Sequence, residues 1–124
     1  MIQELPFKPW GVKAVHEGRK TQTRRPSEKW KKVKPGWIYS VKGKYIEITA
    51  TRQEMLQGIT EADIIAEGCP KNKQQTHWGP VDWFRDVWNE IYTYGTGRSW
   101  VCDPQITVLV FELTDAPVEE LRLF

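Results

Sequence analysis

Cysteine is scarce: the chain has only Cys69 and Cys102 among 124 residues. Two cysteines exclude a disulfide framework and are read as free thiols of a reducing cytoplasm. No apolar run approaches the roughly 20 residues that a membrane helix needs. There is no internal repeat and no low-complexity tract. The N-terminus, Met1-Ile2-Gln3-Glu4-Leu5-Pro6, lacks a charged region followed by an apolar stretch, so no signal peptide is expected. Gly95-Thr96-Gly97 has no helix behind it and makes no phosphate-binding loop. Cys69, His77 and Cys102, with His16 as the remaining side-chain ligand, match no zinc spacing. No metal and no cofactor is therefore expected.

What is present suits one globular domain spanning residues 1–124, with 40% hydrophobic and 27% charged residues. The net charge of +2 hides an asymmetry. Residues 1–45 hold twelve Lys/Arg against three Asp/Glu, a net of +9, and residues 46–124 hold six against thirteen, a net of −7. A basic first third suits a surface that meets anions, phosphate foremost, or one that folds against the acidic remainder. Seven Trp are many for this length, enough to supply both a core and a ring on which a base could stack.

Local grammar predicts a helix over Trp10–Glu17, stopped by Gly18. Strands are expected at Trp37–Val41 and Tyr45–Arg52, joined by a tight Lys42-Gly43 turn. In the second strand Ile46, Ile48 and Ala50 share one face. Thr60 is the expected N-cap of a helix Glu61–Glu67, with Asp63 completing a capping box, Ile59 and Ile64 at the staple positions, and Gly68 as the stop. Asn72–Gly79 reads as polar loop. Phe84, Val87, Trp88 and Ile91 mark the buried face of a helix Val81–Tyr92. Ile106–Leu113, apolar on both faces, reads as a strand covered on both sides. Val118–Phe124 suits a last short strand or turn. No regular βαβ spacing occurs. The fold class is α+β: a small mixed, mainly antiparallel β-barrel with two to three flanking helices.

The stretch Gly18-Arg19-Lys20-Thr21-Gln22-Thr23-Arg24-Arg25-Pro26 gathers cations and hydroxyls behind the first helix. A desolvated Lys20 would lose basicity and could take the proton of Thr23, provided the chain turns between them. Arg25 shares a face with Thr23 once the chain is extended, and is placed to hold a carbonyl, phosphate or base edge. Glu67, at the negative end of a helix dipole, is the candidate acid. Lys29, Lys31, Lys32 and Lys34 around Trp30 suit either a solvated loop or a single-stranded RNA contact.

This motif resembles the signature of the ASCH domain, a branch of the PUA-like superfamily: Gly-x-Lys-x-x-Thr/Glu-x-Arg, filled here by Gly18, Lys20, Thr23 and Arg25. Ile59–Gly68 is similar to the family's second helix. Trp83-Phe84 to Trp88-Asn89, Trp100 and Val108–Glu112 are similar to the closing helix and strand of short ASCH proteins often encoded by phages. The resemblance implies a barrel with a cleft and a nucleoside or RNA as ligand. One branch of the family hydrolyses the acetyl amide of N4-acetylcytidine with a Lys base, a Thr nucleophile and a Glu. Those roles fall on Lys20, Thr23 and Glu67. Arg25, Arg24, Arg19, Thr21, Trp30 and Trp78 then form the substrate- or RNA-binding set. An RNA-binding module without catalysis and a ribonuclease are the alternatives. The implied setting is the cytoplasm, of the host if phage-encoded, with no membrane partner and with a monomer or weak dimer equally open. The strand Trp37-Ile38-Tyr39-Ser40-Val41 lacks the Arg-Glu pair of many phage members, and the Cys69–Gly79 loop, with His77 and Trp78, is its expected replacement.

Overall fold

The structure is a computed structural model that describes residues 2–74, 79–93 and 95–117. In chain order it has strand β1 (Gln3–Glu4), helix α1 (Pro9–His16), strands β2 (Gln22–Arg25), β3 (Ile38–Val41) and β4 (Lys44–Met55), helices α2 (Glu61–Ala66), α3 (Lys71–Gln74) and α4 (Gly79–Ile91), and strand β5 (Gln105–Thr114). Short 3-10 turns occupy Glu28–Lys32, Leu56–Gly58 and Trp100–Cys102. These strands form one sheet in the order β1-β3-β4-β5-β2, antiparallel except for the β1/β3 pair.

The α+β class and the mainly antiparallel sheet match expectation, with one correction. The sheet is not closed: β1 and β2 are its edges and do not pair with each other. β1 contributes two residues and β2 four, while the spine is the long β4/β5 ladder. The chain crosses from one edge to the other through α1. The described residues also hold four α-helices rather than two to three, because Lys71–Gln74 forms a helical turn where polar composition suggested loop. His77, Trp78 and the Val118–Phe124 tail lie outside the described residues.

The β3–β4 hairpin turns at Lys42 (φ 46°) and Gly43 (φ 93°). Both central residues take positive φ, the geometry that matches the strands' right-handed twist. The alternation expected along β4 holds for Ile46 and Ile48, which are fully buried, and fails at Ala50, which is exposed. Ile48 faces Phe111 while Ala50 faces Val110, so Thr49 is an extra residue, and the bulge it makes flips the rest of the strand to the other face.

Two apolar clusters flank β5. Leu109 and Phe111 join Leu5, Val15, Val41, Ile46 and Ile48 in the first. Ile106 and Val108 join Leu56, Ile64, Phe84 and Trp88 in the second. That double burial explains the strand's apolar sequence on both faces. On α4 Phe84 and Trp88 are buried as expected, whereas Val87 is half-buried and Ile91 is exposed, contrary to the four-residue face expected from their spacing. The capping box of α2 is formed as expected: Thr60 Oγ1 accepts from Asp63 N–H at 3.1 Å, and Asp63 Oδ2 accepts from Thr60 N–H at 3.2 Å. Among the described residues no helix is long and apolar enough to cross a membrane.

Candidate active site

The site is built where α1, the edge strand β2 and the end of α2 meet. Gly18 closes α1 at φ 76°, and Arg19 N–H and Lys20 N–H both return to the Ala14 carbonyl. Thr21 then bridges two elements through its backbone: its N–H donates to Ala66 of α2 at 2.7 Å, and its carbonyl accepts from Phe111 of β5 at 2.9 Å. These two bonds tie the segment between Lys20 and Thr23 to both α2 and β5. Gly68, at φ 100°, sits so close that a Cβ there would lie 3.3 Å from both Ala14 Cβ and Lys20 Cβ. Only glycine lets the end of α2, and with it Glu67, approach Lys20 this closely.

A cavity of about 320 Å³ opens here, in the size range of small-ligand sites. Lys8, Lys20, Thr23, Arg24, Arg25 and Glu67 supply its charged and hydroxyl lining. Its walls are aromatic, with Phe7 and Trp10 on one side and Trp83, Phe84, Trp88 and Tyr92 of the α4 region on the other. Trp10 and Trp83 meet edge to face across the two sides, with ring centroids 5.5 Å apart. Sequence reasoning missed this wall. Its two halves lie some seventy positions apart, and the abundance of Trp was the one available signal.

Within the cavity Lys20 and Glu67 are each about 5% exposed. Lys20 Nζ donates to the Glu67 carbonyl at 2.9 Å and lies 3.6 Å from Glu67 Oε1. Burial pushes the Lys20 amine well below its ordinary basicity, against the opposing pull of Glu67. Burial pushes the Glu67 carboxyl up, against Lys20, Arg24 and Arg25. Burial thus disfavours the charged form of each group, while each partner opposes that shift in the other. Glu67 Oε2 is buried with no hydrogen-bond partner among the described residues.

Arg25 Nε donates to Thr23 Oγ1 at 3.1 Å and Arg25 Nη2 to the Pro6 carbonyl at 2.7 Å. The guanidinium lies over two rings, Phe7 at 5.0 Å and Trp30 at 5.3 Å. Arg24, on the opposite face of β2, is turned toward α2. Its Nη2 donates to Glu54 at 2.7 Å and to Asp63 at 3.3 Å, while buried Nε and Nη1 have no partner among the described residues. Arg52 braces the same two carboxylates at 3.1 Å each.

Of the residues singled out from the sequence, Lys20, Thr23, Arg25 and Glu67 line the cavity, and Arg24 borders it while its guanidinium turns away to Glu54 and Asp63. Arg19 does not: it pairs with Glu17 at the surface, 2.9 Å away. Thr21 serves through its backbone, and Trp30 stacks behind Arg25 without lining the cavity. Cys69 is buried in the second core and Cys102 is exposed, and the described residues hold no His/Cys/Asp/Glu cluster fit for a metal ion.

No protein-family model and no curated protein matches the sequence. The fold does match solved structures. An ASCH domain from Lactobacillus crispatus JV V101 superposes with a TM-score of 0.66 at 12% identity, over 90% of this chain and 77% of that one. The hypothetical protein PH0355 gives 0.64 at 14% identity, over 92% of this chain and all of that one. Protein EF3133 from Enterococcus faecalis V583 gives 0.56 at 19% identity, over 90% and 71%. The chain therefore shares the fold of these structures, one of which is an ASCH domain.

Proposed function

We propose that the protein hydrolyses the acyl amide of a modified pyrimidine nucleoside, with N4-acetylcytidine as the type substrate. The observation that carries this reading is the convergence of Lys20, Thr23 and Glu67 on one aromatic-walled cavity, with Lys20 and Glu67 driven toward their neutral forms. Neutral Lys20 takes the hydroxyl proton of Thr23 as Oγ1 attacks the acetyl carbon. Arg25, 3.1 Å from that oxygen, supplies positive charge where negative charge develops. The protonated Glu67 gives its proton to the departing N4 as the C–N bond breaks, leaving an acetyl ester on Thr23 and free cytidine. Water then attacks the ester. Glu67 takes the water's proton, Lys20 returns its proton to Thr23 Oγ1, and acetate leaves. Aromatic walls suit a flat base and exclude water that would reprotonate the amine.

Incubation with N4-acetylcytidine, with cytidine and acetate as the measured products, tests the reading. No turnover across a panel of N-acylated nucleosides would overturn it. A second reading, an RNA-binding module without catalysis, is favoured by one observation: Lys29, Lys31, Lys32 and Lys34 are exposed around Trp30, with Lys29 Nζ 4.8 Å from the ring. RNA affinity without turnover is the result that would select it.

A further inference from the structure

Thr23 and Arg25 are two residues apart on one strand, and the contact between them belongs to a longer chain of side chains. Arg25 lies over Phe7 and over Trp30, and Lys29 caps the outer side of Trp30. Trp30 is half-buried, packs against the first core, and comes from the 3-10 turn Glu28–Lys32 rather than from any element that lines the cavity. Arginine has donors only, so the bond from Arg25 Nε fills an acceptor position of Thr23 Oγ1 and cannot take its proton. The hydroxyl hydrogen is left for a base. A guanidinium free to swing would lose this discrimination. It is restrained further by the Pro6 carbonyl at 2.7 Å and by the pair of ring faces.

We propose that Trp30 is a positioning residue: with Phe7 it clamps the Arg25 guanidinium flat, which holds Arg25 Nε on Thr23 Oγ1 and leaves the Thr23 proton available to Lys20. This rests on the hydrolase reading for its catalytic consequence, though not for its geometry. A second consequence comes from charge. Arg25 is among the groups that hold the Lys20 amine low. The charged and titratable groups around the Lys20–Arg25 pair are Glu67 at the end of α2, Arg24 on β2, Tyr39 on β3, Tyr92 after α4, Lys8 ahead of α1 and Lys29 beside Trp30. If Arg25 swings away, Lys20 becomes more basic and must be deprotonated at higher pH.

The experiment compares Trp30→Phe, which keeps a ring, with Trp30→Leu, which removes it. Two readouts do not need turnover: NMR of the Arg25 Nε–H proton, and the NMR titration of Lys20. Protected Arg25 Nε–H and wild-type Lys20 titration in Trp30→Phe, with loss of the one and an upward shift of the other in Trp30→Leu, are expected. With N4-acetylcytidine as probe, Trp30→Leu should lower kcat about tenfold or more at unchanged KM and move the rising limb of the pH profile upward, with rescue in Trp30→Phe. A folded Trp30→Leu with wild-type Arg25 and Lys20 signals overturns the proposal. Should Trp30→Leu not fold, Trp30→Met, which keeps apolar bulk and removes the ring, takes its place: loss of Arg25 Nε–H protection with an upward Lys20 shift supports the clamp, and wild-type signals overturn it. A wild-type protein without turnover defeats the hydrolase reading alone, since the two NMR readouts still judge the clamp.

Discussion

Lys20 Nζ sits 3.6 Å from Glu67 Oε1 and 2.9 Å from the backbone carbonyl of the same residue, in a place almost closed to water. A buried amine beside a buried acid can store one proton in either of two places. The charged arrangement incurs two desolvation penalties and gains one ion pair, whereas the neutral arrangement incurs neither penalty. Both shifts run toward the neutral forms, the forms that the proposed base and acid roles require.

Replacing the nucleophile tests this most directly. Thr23→Val nearly conserves volume and removes the hydroxyl, so deacetylation should fall by roughly 10³-fold or more while substrate still binds. Lys20→Arg should be nearly as damaging, because guanidinium stays protonated and cannot serve as a base. A module that only binds would tolerate Lys20→Arg, since the charge is kept. Steady-state kinetics and equilibrium binding of the same ligand separate the two outcomes.

The pH profile carries the sign of each role. A base must be deprotonated, so the rate rises with pH through the Lys20 titration. An acid must be protonated, so the rate falls as pH rises through the Glu67 titration. Glu67→Gln should convert the bell into a single rising limb at a reduced rate. That limb should lie at lower pH than in the wild type, because Glu67 is the group that holds the Lys20 amine up. A full bell retained in Glu67→Gln would remove Glu67 from the chemistry.

Asp63 holds more than a helix cap. It caps α2 with Thr60 and also accepts from Arg24, whose side chain is wholly buried, and from Arg52. Burial raises its pKa, yet the Thr60 hydrogen bonds and the two arginines outweigh burial and hold the carboxyl below its usual range. Thr60→Ala should cost about 1 kcal/mol. Asp63→Ala should cost about 2–4 kcal/mol, since it also strips an acceptor from the buried Arg24. A group with a lowered native pKa contributes stability above its unfolded value and loses it as pH falls. The difference between wild type and Asp63→Ala should therefore shrink below about pH 4. Denaturant unfolding at several pH values measures it.

How far such features could be read from the sequence varies with their physics. Thr60–Asp63, Gly68 and the Lys42-Gly43 turn were legible because capping and positive φ depend on neighbours in the chain. The doubly buried β5 was legible because its apolar residues occupy both faces. The bulge at Thr49 was not, since an extra residue leaves no mark in a run of β-formers. The strand β2 was hidden behind polar letters, Gln-Thr-Arg-Arg, whose burial comes from the cavity and from α2. Lys20, Thr23 and Arg25 stood out through the motif, and Glu67 through its place at the end of a capped helix. The aromatic wall and the binding of Arg24 to Glu54 and Asp63 depend on contacts between distant segments, and the stacking of Arg25 on Trp30 depends on how the short loop between them folds back.

The basic surface can be separated from the cavity. Lys31, Lys32 and Lys34 are exposed and lie outside the cavity lining. Changing all three to Gln should leave N4-acetylcytidine turnover unchanged. It should weaken single-stranded RNA binding and flatten its dependence on salt, if phosphate contacts on this surface release counterions. A salt titration of RNA affinity for both proteins measures this. Equal slopes would show that these lysines make no phosphate contact.

The last prediction sets stability against chemistry. Lys20→Met together with Glu67→Gln removes both titrating groups while keeping the volumes similar. Each group's shift toward its neutral form costs native stability, so replacing both by groups that carry no charge should be neutral or stabilising, by about 1–4 kcal/mol at most. The pH dependence comes from the two shifts. Glu67 has a raised native pKa, so its contribution is favourable below the unfolded value near pH 4.3 and is lost as pH rises through the native one. Lys20 has a lowered native pKa, so its contribution is favourable above the unfolded value near pH 10.4 and is lost as pH falls through the native one. Both losses overlap near neutrality. The double variant should therefore exceed the wild type in stability most around pH 7, with the margin narrowing toward pH 4 and toward pH 10, while deacetylation is abolished. Thermal unfolding across that range measures the margin. A double variant less stable than the wild type at pH 7 would mean that the pair is held in place for stability, and the argument that its cost is retained for chemistry would fail.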